Sequence, residues 1–257
     1  RFSWDQLFPV LSGRYHVFAI DTPRHGGSRP WSGILDRARL MEIFGELFSR
    51  LNLSRFSIVG LSMGGGLALE YAALHPEQVE AMALFEPGGI GDRVDFQWLT
   101  WCYMKIPGML RLLSRSYVKL SDAKLEKLLR SIYVKGTAPR DPERLSAILK
   151  DEIHGKFSFG ERDMDDWQIG AIGLSRLYWN LLAQTSAIRC PTLWLRGAES
   201  TLVKQDEMER AVQLSRQHGA SADLLVIPNA GHMLPLEQPE RANAAVLAFY
   251  EEVLTQP

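Results

Sequence analysis

The sequence is poor in cysteine, nearly balanced in charge and without long apolar runs. Its two cysteines, Cys102 and Cys190, stand far apart. No disulfide framework staples such a chain, and two buried free thiols are expected. Lysine and arginine number 29 against 30 aspartate and glutamate, a net charge of −1. That balance leaves no basic field for nucleic acid or an anionic membrane surface. No apolar run approaches the roughly 20 residues of a membrane span. No two of the six histidines stand four apart on a helix, so a zinc site is not expected. There is no internal repeat and no low-complexity tract. A secretory leader is not visible, which favours a cytoplasmic protein. The chain opens on Arg1 rather than methionine, however, and an upstream segment is expected.

What is present is an ordinary globular composition. Of 257 residues, 46% are hydrophobic and 23% charged. That is enough for a sizeable core, as one domain with an insertion or as two. A first helix is expected over Trp4 to Leu11 and a strand over Tyr15 to Ile20. A helix from about Asp36 to Leu53 follows, with Leu40, Ile43, Phe44, Leu47, Phe48 and Leu51 on one face. Then come a strand at Phe56 to Gly60, a helix at Gly65 to Leu74 and a strand at Val79 to Phe85. From about Asp92 to Ala187 the pattern turns helical: Phe96–Met104, Met109–Val118, Ser121–Tyr133, Asp141–His154 and Ile169–Gln184. Alternation resumes with Thr192–Arg196, a helix near Lys204–His218, a strand Asp223–Ile227 and a last helix Pro239–Leu254. Strands alternating with helices predict an α/β fold, a mostly parallel sheet with helices on both faces. Residues 1–91 and 188–257 would form its core, and 92–187 a helical cap. Ligands of such sheets bind beyond the carboxyl ends of the strands, where the insertion can roof them.

Residues Gly60-Leu61-Ser62-Met63-Gly64 carry the strongest local signal. A serine between glycines, after a strand and before a helix, is expected on a strained turn that exposes its hydroxyl. A Cβ at either flanking glycine is expected to collide with the neighbouring strand and helix. A serine becomes a good nucleophile only when a base takes its proton. His232, in Asn229-Ala230-Gly231-His232 after the last strand, is the histidine whose loop opens at the same sheet edge. His25, in the loop after the first strand, could also lie near the site.

With these pieces the chain resembles an α/β-hydrolase of the lid-bearing serine esterase type. The resemblance rests on Asp21-Thr22-Pro23-Arg24-His25-Gly26-Gly27-Ser28, the serine turn, His75-Pro76-Glu77-Gln78-Val79, Pro191 to Gly197, and Gly231-His232 with Glu237 to Glu240 downstream. It runs from residue 1 to the end. Arg24 stands where the family more often has glycine. The family's acid usually sits three residues beyond a glycine in the turn after the next-to-last strand. Counting from Gly197 reaches Ser200, which cannot carry the charge. Two carboxylates remain: Glu86, ending the strand after the serine helix, and Glu199, one residue short of the usual place. Some relatives, haloalkane dehalogenases among them, place a glutamate where Glu86 stands. A Ser62–His232–Glu86 triad is the preferred expectation, with Glu199 as the alternative acid. Asp206 and Asp223 lie within or before later elements.

Met63 N–H is the expected oxyanion donor. The family's second donor comes from an earlier loop. The resemblance also implies early strands upstream of Arg1, one of them lying in the sheet between the Tyr15–Ile20 and Phe56–Gly60 strands. The insertion carries Trp98, Trp101, Tyr103, Met104, Met109, Tyr117, Tyr133, Phe157, Phe159, Trp167, Tyr178 and Trp179, so an apolar roof is expected. Lys105, Arg111 and Arg115 do not cluster as a phosphate or coenzyme A site would require. The expected activity is hydrolysis of a small to medium, apolar carboxylic ester or thioester, without metal or cofactor. Other readings on the same fold are a lactonase, a C–C hydrolase, a perhydrolase or a lyase. The reading from another class is a non-catalytic ligand-binding or signalling homologue, kept open by Ser200.

Overall fold

The computed structural model describes residues 2–133, 141–158 and 165–254. Its helices and strands run α1 (Phe8–Ser12), α2 (Arg37–Arg50), β1 (Phe56–Leu61), α3 (Met63–Leu74), β2 (Val79–Phe85), α4 (Gln97–Lys105), α5 (Met109–Val118), α6 (Asp122–Tyr133), α7 (Pro142–Ser158), α8 (Asp166–Ala171), β3 (Thr192–Gly197), α9 (Gln205–Gln217), β4 (Ala222–Ile227), α10 (Leu234–Glu237) and α11 (Pro239–Leu254). The four strands form one parallel sheet in the order β1-β2-β3-β4. This is the expected α/β architecture. Because the register aligns Leu61 with Phe85, Phe85 with Leu195, and Gly197 with Ile227, all four strands end at one edge. The loops carrying Ser62, Glu86, Ser200 and His232 therefore leave the sheet on the same side.

Strand alternation divides the core into two faces. From β2, Met82 and Leu84 point to one side, where they meet α2, α3 and α9 through Phe44, Leu67 and Met208. Ala81, Ala83 and Phe85 point to the other, against α1 and α11 through Leu11, Ala242 and Val246. Each large side chain buried this way contributes about 1.5–3 kcal/mol. α2 begins where Asp36 accepts a hydrogen bond from Arg39 N–H at 2.9 Å, an N-cap that satisfies one otherwise unpaired donor. Cys190 is buried and Cys102 half-buried, both as free thiols. Burial pushes the Cys190 thiol up to about 11, so little reactive thiolate forms near neutral pH. Among the described residues, no helix is long and apolar enough to cross a membrane, and no group of three or more acidic, histidine or cysteine side chains could hold a metal ion.

Three expected elements differ in the structure, one absent and two shortened. Tyr15–Ile20 has strand-like residues but is not a strand. A strand exists by its ladder, and this segment pairs with none of the four. A cavity of about 460 Å³ lies between it and β1, bounded by Val17, Ile20, Ile58 and Val59. The helix expected over Ile169–Gln184 stops at Ala171, and a short 3-10 turn follows only at Ala183–Ala187. Buried Gln97 explains the break: its side-chain amide donates to Gly173 O at 2.5 Å and Arg176 O at 3.3 Å. Those carbonyls are thereby drawn away from helical pairing, and Ile172 bridges Leu177 instead. The expected helix Trp4–Leu11 likewise resolves into a 3-10 turn at Phe2–Trp4 and the short α1.

Candidate active site

Ser62 sits between β1 and α3 with φ 52° and ψ −118°, a conformation few non-glycine residues adopt. Holding it there costs about 1–3 kcal/mol, and its backbone contacts make up the difference. Ser62 N–H donates to Phe85 O at 2.8 Å, and Ser62 O accepts from Gly88 N–H at 2.8 Å and Gly66 N–H at 3.0 Å. The turn is thus clamped to the end of β2. Met63 opens α3, and its N–H, in the unpaired first turn, meets no acceptor among the described residues.

The glycines do not share one reason. A Cβ at Gly60 would lie 2.7 Å from Gly65 Cα and 2.8 Å from Gly64 O. One at Gly65 would lie 3.0 Å from Pro87. At Gly64 nothing lies within 4 Å, so the expected collision two residues after the serine does not occur. Gly64 instead borders open space in front of the serine turn. Gly60→Ala is therefore expected to destabilise the fold by about 1–3 kcal/mol. Gly64→Ala should leave the unfolding midpoint nearly unchanged. Urea denaturation of both variants checks the contrast.

Glu86 follows β2 with φ 43° and is fully buried. Its carboxylate takes three partners. Oε1 accepts from Gly197 N–H at 2.9 Å. Oε2 lies 2.5 Å from Ser200 Oγ and 2.7 Å from His232 Nδ1. A buried carboxylate requires such compensation. Ser200, in the place where the family usually has an acid, thus donates to the Glu86 carboxylate. Glu199 faces away from that cluster. Its oxygens accept from Asn229 N–H at 3.1 Å and Ala230 N–H at 2.8 Å, tying the turn after β3 to the loop that carries His232. Glu199 braces the histidine loop through its backbone, whereas Glu86 meets the imidazole itself.

Two further residues shape the site, both from segments that carry the family resemblance but to which the sequence assigns no role. Buried Arg196 donates to Gly197 O at 2.8 Å and Ser200 O at 2.8 Å, which sets the turn that presents Ser200. Its signals are its place in Pro191 to Gly197 and its charge at the end of a mostly apolar strand. Buried Glu237 accepts from Gly231 N–H at 2.8 Å and so fixes the backbone beside His232. Its signal in the sequence is its place in the stretch Glu237 to Glu240 just after the histidine.

A cavity of about 360 Å³ opens beside the serine turn. Leu61, Met63 and Gly64 border it from the turn, Met233 from the histidine loop, His25 from the loop after Tyr15–Ile20, and Ile148 and Asp151 from α7. Among the described residues, the aromatics of 92–187 do not border this cavity. Trp167 and Trp179 pack edge to face at 4.9 Å as core, while Trp98 and Tyr178 are exposed. Phe159 lies outside the described residues, as does the side chain of Tyr133. Trp179 serves α3 instead: its Nε1–H donates to buried Glu70 at 2.8 Å, and a Cβ at Gly66 would lie 2.6 Å from its ring.

The model of a family described as alpha/beta hydrolase fold matches residues 2–239. The dihydrolipoyllysine-residue acetyltransferase component of the acetoin cleaving system of Pseudomonas putida is 24% identical over 248 residues. That match covers 96% of this chain, which spans only 59% of the relative's length. Carboxylesterase YbfK of Bacillus subtilis is 25% identical over 253 residues, covering 96% of this chain and 75% of that protein. Among solved structures, a thermophilic esterase from Thermogutta terrifontis superposes with a TM-score of 0.76 at 19% identity, covering 98% of this chain and 86% of the other. At that identity the likeness is one of fold.

Proposed function

Because the chain belongs to the α/β-hydrolase fold family, we propose that it is a serine hydrolase of small to medium carboxylic esters or thioesters, acting through an acyl-enzyme. The observation that carries this reading is the 2.7 Å contact between Glu86 Oε2 and His232 Nδ1, at the sheet edge where the strained Ser62 turn also stands. With Nδ1 turned to the carboxylate, the imidazole is held in one tautomer, and Nε2 is the nitrogen that exchanges protons. The esterase names of several relatives agree with this chemistry.

In the proposed cycle Ser62 Oγ attacks the ester carbonyl carbon while His232 Nε2 takes its proton. Negative charge gathers on the carbonyl oxygen, and Met63 N–H stabilises it. Removing one such donor typically costs about 2.7–4 kcal/mol of barrier. The tetrahedral adduct collapses, and the leaving alkoxide or thiolate departs with the proton from His232. Water then attacks the acyl-serine, His232 takes its proton, and the carboxylic acid leaves as Ser62 recovers its hydrogen. Glu86 holds Nδ1–H and stabilises the imidazolium as it forms. Residues 92–187 act as the cap, and Ile148 and Asp151 of α7 are the part that borders the cavity.

Hydrolysis of p-nitrophenyl acyl esters of graded chain length tests this. Turnover should be highest at short to medium chains. A wild-type rate no better than that of Ser62→Ala would overturn the proposal.

A further inference from the structure

Arg24 departs from the family's more usual glycine, and the backbone there still has a glycine-like φ of 67°. An arginine is held in that conformation only if its side chain is well used. Its guanidinium is buried and forks. Nη2 donates to Gly33 O at 2.8 Å, and Nη1 lies 3.1 Å from Asp166 Oδ2 at the start of α8. Asp166 Oδ2 also accepts from Leu35 N–H at 3.1 Å, and Trp167 N–H donates to Leu35 O at 3.1 Å. Arg24 therefore fastens the first turn of α8 to the core segment Gly33–Leu35.

The same loop also grips α7. Arg29 Nη2 pairs with Asp151 Oδ2 at 2.8 Å, and Arg29 Nη1 donates to Asp151 O at 3.0 Å. His25 Nδ1 lies 3.0 Å from Pro23 O, which leaves Nε2 to accept from Lys156 Nζ at 3.2 Å. Between the two grips stands Asp165, 1% exposed. It caps α8, with its N–H donating to Gln168 Oε1 at 2.8 Å, and Arg24 Nη1, His25 Nδ1 and Lys156 Nζ lie 3.7, 3.9 and 4.0 Å from its oxygens. A buried carboxylate beside the Arg24 guanidinium and the Lys156 ammonium favours the arrangement in which loop, α7 and α8 are all docked. α7 in turn supplies Ile148 and Asp151 to the cavity that Leu61, Met63 and Gly64 border.

We propose that Arg24 is a positioning residue for substrate selection: with Asp165 and Asp166 it clamps the cap to the loop Thr22–Arg29, and so sets the size of acyl group the cavity admits. This rests on the ester-hydrolase reading for its substrate, but the clamp itself can be read independently of turnover.

Arg24→Gly is the decisive variant, because glycine accepts the same backbone conformation and the fold should survive. Arg24→Lys keeps the charge without the fork. Both are assayed on p-nitrophenyl acetate, butyrate, octanoate and laurate, with amide hydrogen exchange followed on the same proteins. Arg24→Gly should accelerate exchange in α8 about tenfold. It should lower KM for the long esters relative to the short ones by a similar factor, with kcat on acetate changed less than about threefold. Arg24→Lys should fall between. Exchange and chain-length profile both matching wild type would overturn the clamp. Faster exchange with an unaltered profile would overturn its role in selection. If wild-type protein hydrolyses none of the esters, the functional reading falls, and the exchange result alone decides whether the clamp exists.

Discussion

Glu86→Gln should lower kcat on a short acyl ester by about 10⁴-fold, the scale seen when a triad carboxylate becomes an amide. The argument lies in the three contacts of the carboxylate. Glutamine can still offer an amide oxygen to Gly197 N–H, as Oε1 does now. Its NH₂ would then face Ser200 Oγ and His232 Nδ1, where the carboxylate accepts today. The amide would demand an acceptor, so Nδ1 would lose its hydrogen and Nε2 would carry it. A base that already holds the proton at Nε2 cannot take another from Ser62. Size and packing are kept, so circular dichroism and the unfolding midpoint should stay close to wild type. Glu199→Gln is the comparison. It weakens two backbone contacts in the histidine loop and should reduce kcat by no more than about tenfold. A collapse in Glu199→Gln beside an intact Glu86→Gln would reverse the assignment.

Ser200 supplies a second arm to the same experiment. Its hydroxyl already meets the oxygen that faces His232. The double variant Glu86→Gln/Ser200→Asp places a carboxylate at the family's more usual position. Recovery of part of the lost rate would show that charge beside Nδ1, rather than Glu86 as such, is what turnover requires.

Ser62→Ala is expected to have the largest effect, a loss on the order of 10⁶-fold in kcat, as for nucleophile removal in a comparable triad. Only the hydroxyl is deleted. The strained backbone, its bonds to Phe85, Gly88 and Gly66, and the packing of α3 all remain. Stability should therefore change by less than about 0.5 kcal/mol. A covalent organophosphonate probe adds a check that does not depend on the choice of ester. Intact-mass spectrometry should show one adduct on the wild type and none on Ser62→Ala. An adduct of equal yield on the variant would place the reactive nucleophile elsewhere.

Both residues proposed for the chemistry at the first two strand ends, Ser62 and Glu86, sit at positive φ without being glycine. The serine's strain is foreshadowed by its glycine neighbours. The glutamate's is not, since Phe85-Glu86-Pro87 reads simply as a strand that ends. What puts Glu86 in place is the parallel pairing of β2 with β3. That pairing sets Glu86 N–H against Leu195 O at 3.0 Å and brings its carboxylate to Gly197 and Ser200. The partners are more than a hundred residues away in the chain, which no local pattern records. Arg24 shows the converse. The departure from glycine is visible in the chain, but Asp166, the reason for it, lies across the fold.

The order of strand, serine turn and helix, the limits of β2, and the histidine loop after the last strand were determined by the sequence itself. They rest on local physics: two-residue alternation, apolar helical spacing, and glycine or proline at the breaks. Whether Tyr15–Ile20 is a strand, where the helix after Ile169 stops, and which carboxylate meets His232 were decided only by the tertiary structure. Each depends on a partner brought close by folding: a ladder for the strand, the Gln97 amide for the helix end, and the shared sheet edge for the acid.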